Sequence, residues 1–158
     1  MKPLSLTLKN FGPYINETID FTKFEDSSLF LISGKTGSGK TTIFDGMSYA
    51  LFGESSGKLR LGKEMRSTFA DPSEATEVTL LFKHNEYLYE LNRLPEQELF
   101  KKRGTGVRKQ SAKISLIVKD AQGKELRAYS KRREVDELIQ ELLHLNANQF
   151  AQIVLLPQ

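Results

Sequence analysis

The chain opens on a regular alternation: Leu4, Leu6 and Leu8 are separated by Ser5, Thr7 and Lys9, and the same period resumes at Ile19 and Phe21 after Gly12-Pro13. A period of two puts the apolar side chains on one face of a strand, so the pattern predicts two half-buried strands that pair across the Gly-Pro turn. Leu29-Phe30-Leu31-Ile32 is apolar without interruption, as expected of a strand covered on both faces. From Thr41 the period changes: Ile43, Phe44, Met47, Ala50 and Leu51 fall at helical spacing, and Gly53 stands where the helix should stop. Residues 53–75 keep no period and include Gly57, Gly62 and Pro72, a connection longer than compact domains usually carry without a function.

Strand signals return at Glu77 to Phe82, turn at Lys83 to Glu86, run back through Tyr87 to Leu91, and reappear at Ala112 to Val118 after Gly104-Thr105-Gly106. That is an antiparallel meander. Asp120-Ala121-Gln122-Gly123 makes the next turn, and Val135, Leu138, Ile139, Leu142 and Leu143 mark an amphipathic helix ending near His144. Ile153-Val154-Leu155-Leu156 precedes Pro157-Gln158. The expected fold is α/β: one domain over residues 1–158, with a mixed sheet, the antiparallel meander and flanking helices.

Composition narrows the class. Hydrophobic residues are 39% and charged residues 27%, ordinary for a globular domain, and there is no cysteine for a disulfide or a zinc thiolate. Met1-Lys2-Pro3 does not begin a signal peptide, and no apolar run is long enough for a bilayer, so a cytoplasmic protein with no membrane partner is expected. The net charge of +3 hides an asymmetry, because residues 101–133 hold twelve Lys or Arg against Asp120 and Glu125, a local charge of +10. Such a segment suits a surface for a polyanion such as double-stranded DNA; a solvated lysine-rich hairpin is the competing reading.

The most specific feature is Gly34-Lys35-Thr36-Gly37-Ser38-Gly39-Lys40-Thr41, which fills every fixed position of GxxxxGK[ST]. Glycines let the backbone fold around phosphates with its N–H groups inward, and the following helix turns its positive end to the same anion. Lys40 is placed to reach the β and γ phosphates, and the Thr41 hydroxyl to bind the Mg2+ that bridges them. A chance match in a chain of this length is roughly one in a few hundred, and the strand before and helix after the motif are the context it needs. ATP and Mg2+ are the expected cofactors.

A hydrolase of this type also needs an acidic residue at the end of a neighbouring strand, and no apolar strand here ends in one. Glu134, Glu137 and Glu141 recur at helical spacing away from the apolar face, which reads as a solvated surface. His84 and His144 have no partner at metal-ligand spacing.

Taken together, Leu8-Lys9-Asn10-Phe11, the loop Gly34 to Thr42, the run Phe44 to Gly53 and the ending Gln152 to Gln158 resemble the SbcC/Rad50 family, within the SMC group of ABC-type ATPases. The resemblance runs the length of the chain, and the Asn-Phe opening and the Leu-Leu-Pro-Gln ending are its most particular parts. In that family the ATPase head is split by a long coiled coil. The resemblance therefore implies that this is the N-terminal lobe only, with the signature and acidic motifs in a C-terminal half, and that the lobe alone does not turn over ATP. It implies Lys40 and Gln158 as catalytic residues, with Gln158 also contacting the metal, and Thr42 and Asn10 beside the nucleotide. Relatives with an arginine after Asn-Phe contact the nucleotide through it; here Gly12-Pro13-Tyr14 follows, leaving Tyr14 or the Lys9-Asn10-Phe11 backbone for that contact. The implied activity is an ATPase that forms an ATP-bound dimer of heads and works with an SbcD-type nuclease on DNA ends. A structural SMC- or RecN-type head that tethers DNA without a nuclease is the alternative, and a transporter ATPase fits the opening and the basic segment less well.

Overall fold

A computed structural model describes residues 1–23, 40–53, 66–67 and 71–154. Strands β1 (Lys2–Phe11) and β2 (Tyr14–Asp20) are followed by a short 3-10 turn at Phe21–Lys23, helix α1 (Lys40–Phe52), and strands β3 (Glu77–His84) and β4 (Tyr87–Leu94). Then come β5 (Gln97–Phe100), β6 (Val107–Gln110), β7 (Lys113–Lys119), β8 (Glu125–Tyr129), α2 (Arg132–Leu143) and α3 (Ala147–Val154).

Six strands form one antiparallel sheet in the order β2-β1-β3-β4-β7-β8, and β5 and β6 pair separately as a hairpin inserted between β4 and β7. The strand expected at Leu29–Ile32, which would make the sheet mixed, lies outside the described residues. Pairing register explains why alternation matters: Ile19, Leu6, Leu80, Leu91, Leu116 and Tyr129 are successive cross-strand partners and form one row across all six strands. A slip of one residue in any strand would turn its member of the row to the opposite face. Phe82 and Tyr89 stack in a second row, with ring centroids 4.9 Å apart.

One face of the sheet is covered by α1, packed on β1, β3 and β4, and by α2 on β7, while α3 packs on α1. The other face is polar: Asn92 Nδ2 donates to Glu77 Oε1 at 2.7 Å and Thr79 Oγ1 at 2.8 Å, and Lys119 pairs with Glu90 at 3.2 Å. A sheet covered on one face reads as alternation, which is why its strands are legible in the sequence.

Several expectations change. β2 is almost wholly exposed, as an edge strand is, and Phe21 is buried from the 3-10 turn rather than from a strand. In β1 a register irregularity between Pro3 and Ser5 buries Pro3 and leaves Leu4 only half-buried. β5, β6 and β8 are additions to the expected elements: β6 and β8 are largely exposed, and β5 alternates over only four residues, with the polar Gln97 at one of its two buried positions. Helices α1 and α2 end where the sequence places their ends. Gly53, at φ +79°, closes α1 by donating its N–H to Tyr49 O at 2.7 Å, and His144, at φ +54°, closes α2.

Two glycines set how closely α1 sits on the sheet. A Cβ on Gly46 would lie 2.7 Å from Leu8 Cδ2, so the absent side chain lets the helix meet β1 directly. Gly12, at φ +55° in the β1–β2 turn, would place a Cβ 2.6 Å from Thr42 Cγ2 in the first turn of α1. The hairpin turn is therefore seated against the start of the helix.

Two outcomes follow. Leu80→Ala, in the centre of the leucine row, is expected to cost about 2–5 kcal/mol in urea unfolding, whereas Phe100→Ala on the exposed hairpin should stay within about 0.5 kcal/mol. Gly12→Ala must adopt a left-handed backbone at a cost of about 1–2 kcal/mol and also displace Thr42. Its unfolding midpoint should fall, and a variant as stable as the parent would show that the turn does not bear on α1.

Candidate nucleotide site and basic surface

Lys40 and Thr41, the last two fixed positions of the glycine motif, are the first two residues of α1. The motif thus ends where a helix begins, as phosphate binding at a helix N-terminus requires. The first turn of α1 carries no acidic residue, so no side-chain charge there opposes an anion. Gly34, Lys35, Thr36, Gly37, Ser38, Gly39 and Gln158 lie outside the described residues, and Lys40 and Thr41 are described only as backbone. Thr42 is half-buried beneath the β1–β2 turn.

That turn is held by a polar network that no sequence pattern suggests. Asn10 is buried at φ +51°; its Nδ2 donates to Ala75 O at 2.9 Å, and its carbonyl accepts from Ser67 N and Thr76 Oγ1, both at 2.8 Å. Gln97 Oε1 accepts from Thr76 N at 2.9 Å, and Gln97 Nε2 donates back to Thr76 O at 3.2 Å. Arg66 reaches Thr76 Oγ1, Gln97 Oε1 and Asp71 O, and burial draws its pKa below the ordinary arginine value, with Asp71 acting the other way. The Asn10 carboxamide thus bonds Ala75, and its backbone carbonyl bonds Ser67 and Thr76. Its contribution is to fix the turn that abuts Thr42.

The opposite end of α1 is held by a charge in the core. Tyr89, Leu91 and Arg93 alternate inward along β4, so Arg93 occupies a position that should be apolar and is only 5% exposed. Its Nε donates to Ala50 O at 3.1 Å and its Nη2 to Leu51 O at 3.5 Å, satisfying carbonyls at the negative end of the helix. Asp136 of α2 lies 3.4 Å from Arg93 and 3.5 Å from Arg132, joining the two guanidinium groups. Desolvation lowers the Arg93 pKa, while Asp136 opposes the shift. The apolar signal of this strand stops at Leu91. Continuing its period by two residues is the one sequence signal that reaches Arg93.

The basic segment is a surface, not a core. Residues 101–109, from the end of β5 through most of β6, are all exposed. Lys102, Lys109 and Lys119 pair with Glu74, Glu96 and Glu90, and Arg132 and Arg133 with Asp136 and Glu137 on their own helix. Lys101, Arg103, Arg108, Lys113, Lys124 and Lys131 have no carboxylate within ion-pair distance among the described residues. The hairpin base at Glu96 and Lys113 and the start of α2 at Arg132 line one hollow, so the topology does bring these parts of the segment to one end of the sheet. Glu134, Glu137 and Glu141 are exposed, as expected. No group of three or more metal-binding side chains occurs among the described residues, and no helix there is long and apolar enough to cross a membrane.

Comparison with known proteins assigns the chain. Residues 5–158 match the family model described as an AAA domain. Over the whole chain it is 48% identical to the SbcC subunit of the nuclease SbcCD from Lactococcus lactis, 46% to that from Staphylococcus aureus and 44% to that from Vibrio cholerae. The chain spans 15–16% of the length of these relatives. A solved structure from work on ATP-driven dimerization and DNA-stimulated activation of SMC ATPases aligns with 92% of this chain and 81% of its own, at 18% identity and a TM-score of 0.45, a likeness too slight to add to the sequence match. On the match over nearly all its residues, the chain belongs to the family described as an AAA domain.

Proposed function

We propose that this chain is the N-terminal, ATP-binding lobe of an SbcC-type ATPase that works with an SbcD-type nuclease on the ends of double-stranded DNA. The observation that carries the reading is a complete GxxxxGKT loop running into α1, in a chain 44–48% identical along its whole length to subunits named for the SbcCD nuclease. That name favours the nuclease reading over a tether without one.

In this reading Gly34 to Gly39 cradle the phosphates with backbone N–H groups, aided by Lys35, Thr36 and Ser38, and Lys40 carries the charge that binds the β and γ phosphates. Thr41 and Gln158 would hold Mg2+, which would supply charge neutralisation, and Gln158 would orient the attacking water. Thr42 and Asn10 set the position of the helix start and the turn beside it. The acid-free first turn of α1 fits a polyanion at that place. A C-terminal half of the same protein supplies the signature and acidic residues, and two ATP-bound heads close on each other, so that ATP acts as a switch for access to DNA. A cytoplasmic location is consistent with this activity. The exposed bases of the β5–β6 hairpin and the start of α2 then touch the DNA backbone.

In the full-length protein, Lys40→Ala should weaken ATP binding roughly ten- to a hundred-fold, the loss of one charge-assisted hydrogen bond of about 1.5–3 kcal/mol, and Thr41→Ala should reduce its Mg2+ dependence. Calorimetry showing unchanged ATP affinity for the Lys40 variant would refute the loop assignment. For DNA, neutralising Lys101, Arg103 and Arg108 together should reduce the salt slope of log K on a blunt duplex by roughly 0.9 for each phosphate no longer neutralised, with sequence preference unchanged. An unaltered slope would return the hairpin to a solvated surface.

A further inference from the structure

At the C-terminal end of α1, away from the phosphate loop, lies a hollow of about 340 Å3 between the helix end, the base of the β5–β6 hairpin and the start of α2. Tyr49 lines it, is only 4% exposed, and its hydroxyl has no hydrogen-bond partner among the described residues. The hydroxyl is not sealed in the core, where Ser48 Oγ alone among the described residues is buried without a partner, so it is open to the hollow. Arg93 lines the same space; its Nε and Nη2 are engaged, whereas Nη1, 2.9 Å from where a Cβ on Gly53 would stand, has no acceptor among the described residues. Arg132 and Lys113 complete the cationic side. Two carboxylates are close, and both are already matched: Asp136 lies between Arg93 and Arg132, and Glu96 pairs with Lys109 at 2.9 Å.

The start of α2 adds an independent reason. Its N-cap residue Lys131 makes no side-chain capping bond, and Arg132 and Arg133 precede Glu134, the acidic residue of the first turn. Positive charge at the positive end of a helix is unfavourable, and uncapped N–H groups leave donors unmatched. Glu134, Asp136 and Glu137 offset part of that charge, and an anion at that place would match the donors that no side chain caps.

We propose that this hollow is a second anion site, which binds a phosphate monoester through Tyr49 Oη, Arg93 Nη1, Arg132 and Lys113. Pro95 and Ile114 form an apolar wall, and the volume is at the lower end of small-ligand pockets, leaving room for a sugar-sized group beyond the phosphate. Two sources share this chemistry, a free phosphorylated metabolite and a phosphate of a nucleic-acid strand. The site stands without the DNA reading of the hairpin.

The test is calorimetric titration of the full-length protein with inorganic phosphate and with ribose 5-phosphate. Lys40→Ala weakens the phosphate loop as a competing site, and binding to this hollow should persist in that background. Adding Arg132→Gln should weaken it about tenfold, and adding Tyr49→Phe about three- to tenfold. Because the Tyr49 hydroxyl has no partner among the described residues, Tyr49→Phe should leave the thermal midpoint unchanged, so a loss of binding cannot be laid to misfolding. Binding that disappears with Lys40→Ala alone, or that persists unaltered in both the Arg132 and the Tyr49 variant, overturns the proposal. Where binding is found, displacement by a 5′-phosphorylated duplex but not by its unphosphorylated form identifies a strand end. Equal displacement by both identifies an internal strand phosphate, and displacement by neither identifies a free metabolite; all three support the site.

Discussion

The placement of α1 is the constraint on which the rest of this lobe depends, because the glycine motif ends at one end of that helix while the sheet holds the other. A guanidinium at a core position of β4 fixes the far end. Arg93 meets the Ala50 and Leu51 carbonyls, which no residue of the helix can satisfy, and Asp136 lies beside it. Burying such a group without partners would be very unfavourable; with three acceptors it becomes a bond between helix, sheet and α2 that cannot shift without leaving a charge exposed to the core.

The near end is fixed by absence of side chains. Gly46 lets the helix rest on Leu8, and Gly12 lets the β1–β2 turn rest on Thr42, so the first turn of α1 is positioned by steric contact on two sides. The turn in its own right is held by Asn10, Thr76, Gln97 and Arg66, residues far apart in sequence whose hydrogen bonds close a buried polar cluster. The start of α1 is therefore supported by the β1–β2 hairpin, by Arg66, Ser67, Ala75 and Thr76, and by Gln97 at the start of β5.

Charge is distributed in a way that follows from this frame. The hairpin β5–β6 projects from the sheet between β4 and β7 and contributes little to the core beyond Leu99, so its surface is free to carry bases. At its base the charges meet those of α2 around the buried Tyr49 and Arg93. The same arrangement that anchors α1 thus concentrates positive potential at one end of the sheet.

Features governed by local rules are legible in the order of amino acids alone. The GxxxxGKT spacing, the apolar alternation of β1, β3, β4 and β7, the helical periods of α1 and α2 and the glycine stop at Gly53 all express interactions between residues close in the chain, or one face turned to a core. Exposed strands such as β2 and β8 are misread or missed that way, because their identity comes from a neighbour's hydrogen bonds, not from their own side chains. The roles of Asn10 and Arg93 arise in the folded chain, since a buried polar side chain is defined by the acceptors it meets, and Ala75, Ala50 and Asp136 lie 65, 43 and 43 residues away along the chain. Folding alone also brings the hairpin base and the α2 start to one hollow, a consequence of the β4-β7-β8 strand order that no spacing in the sequence encodes.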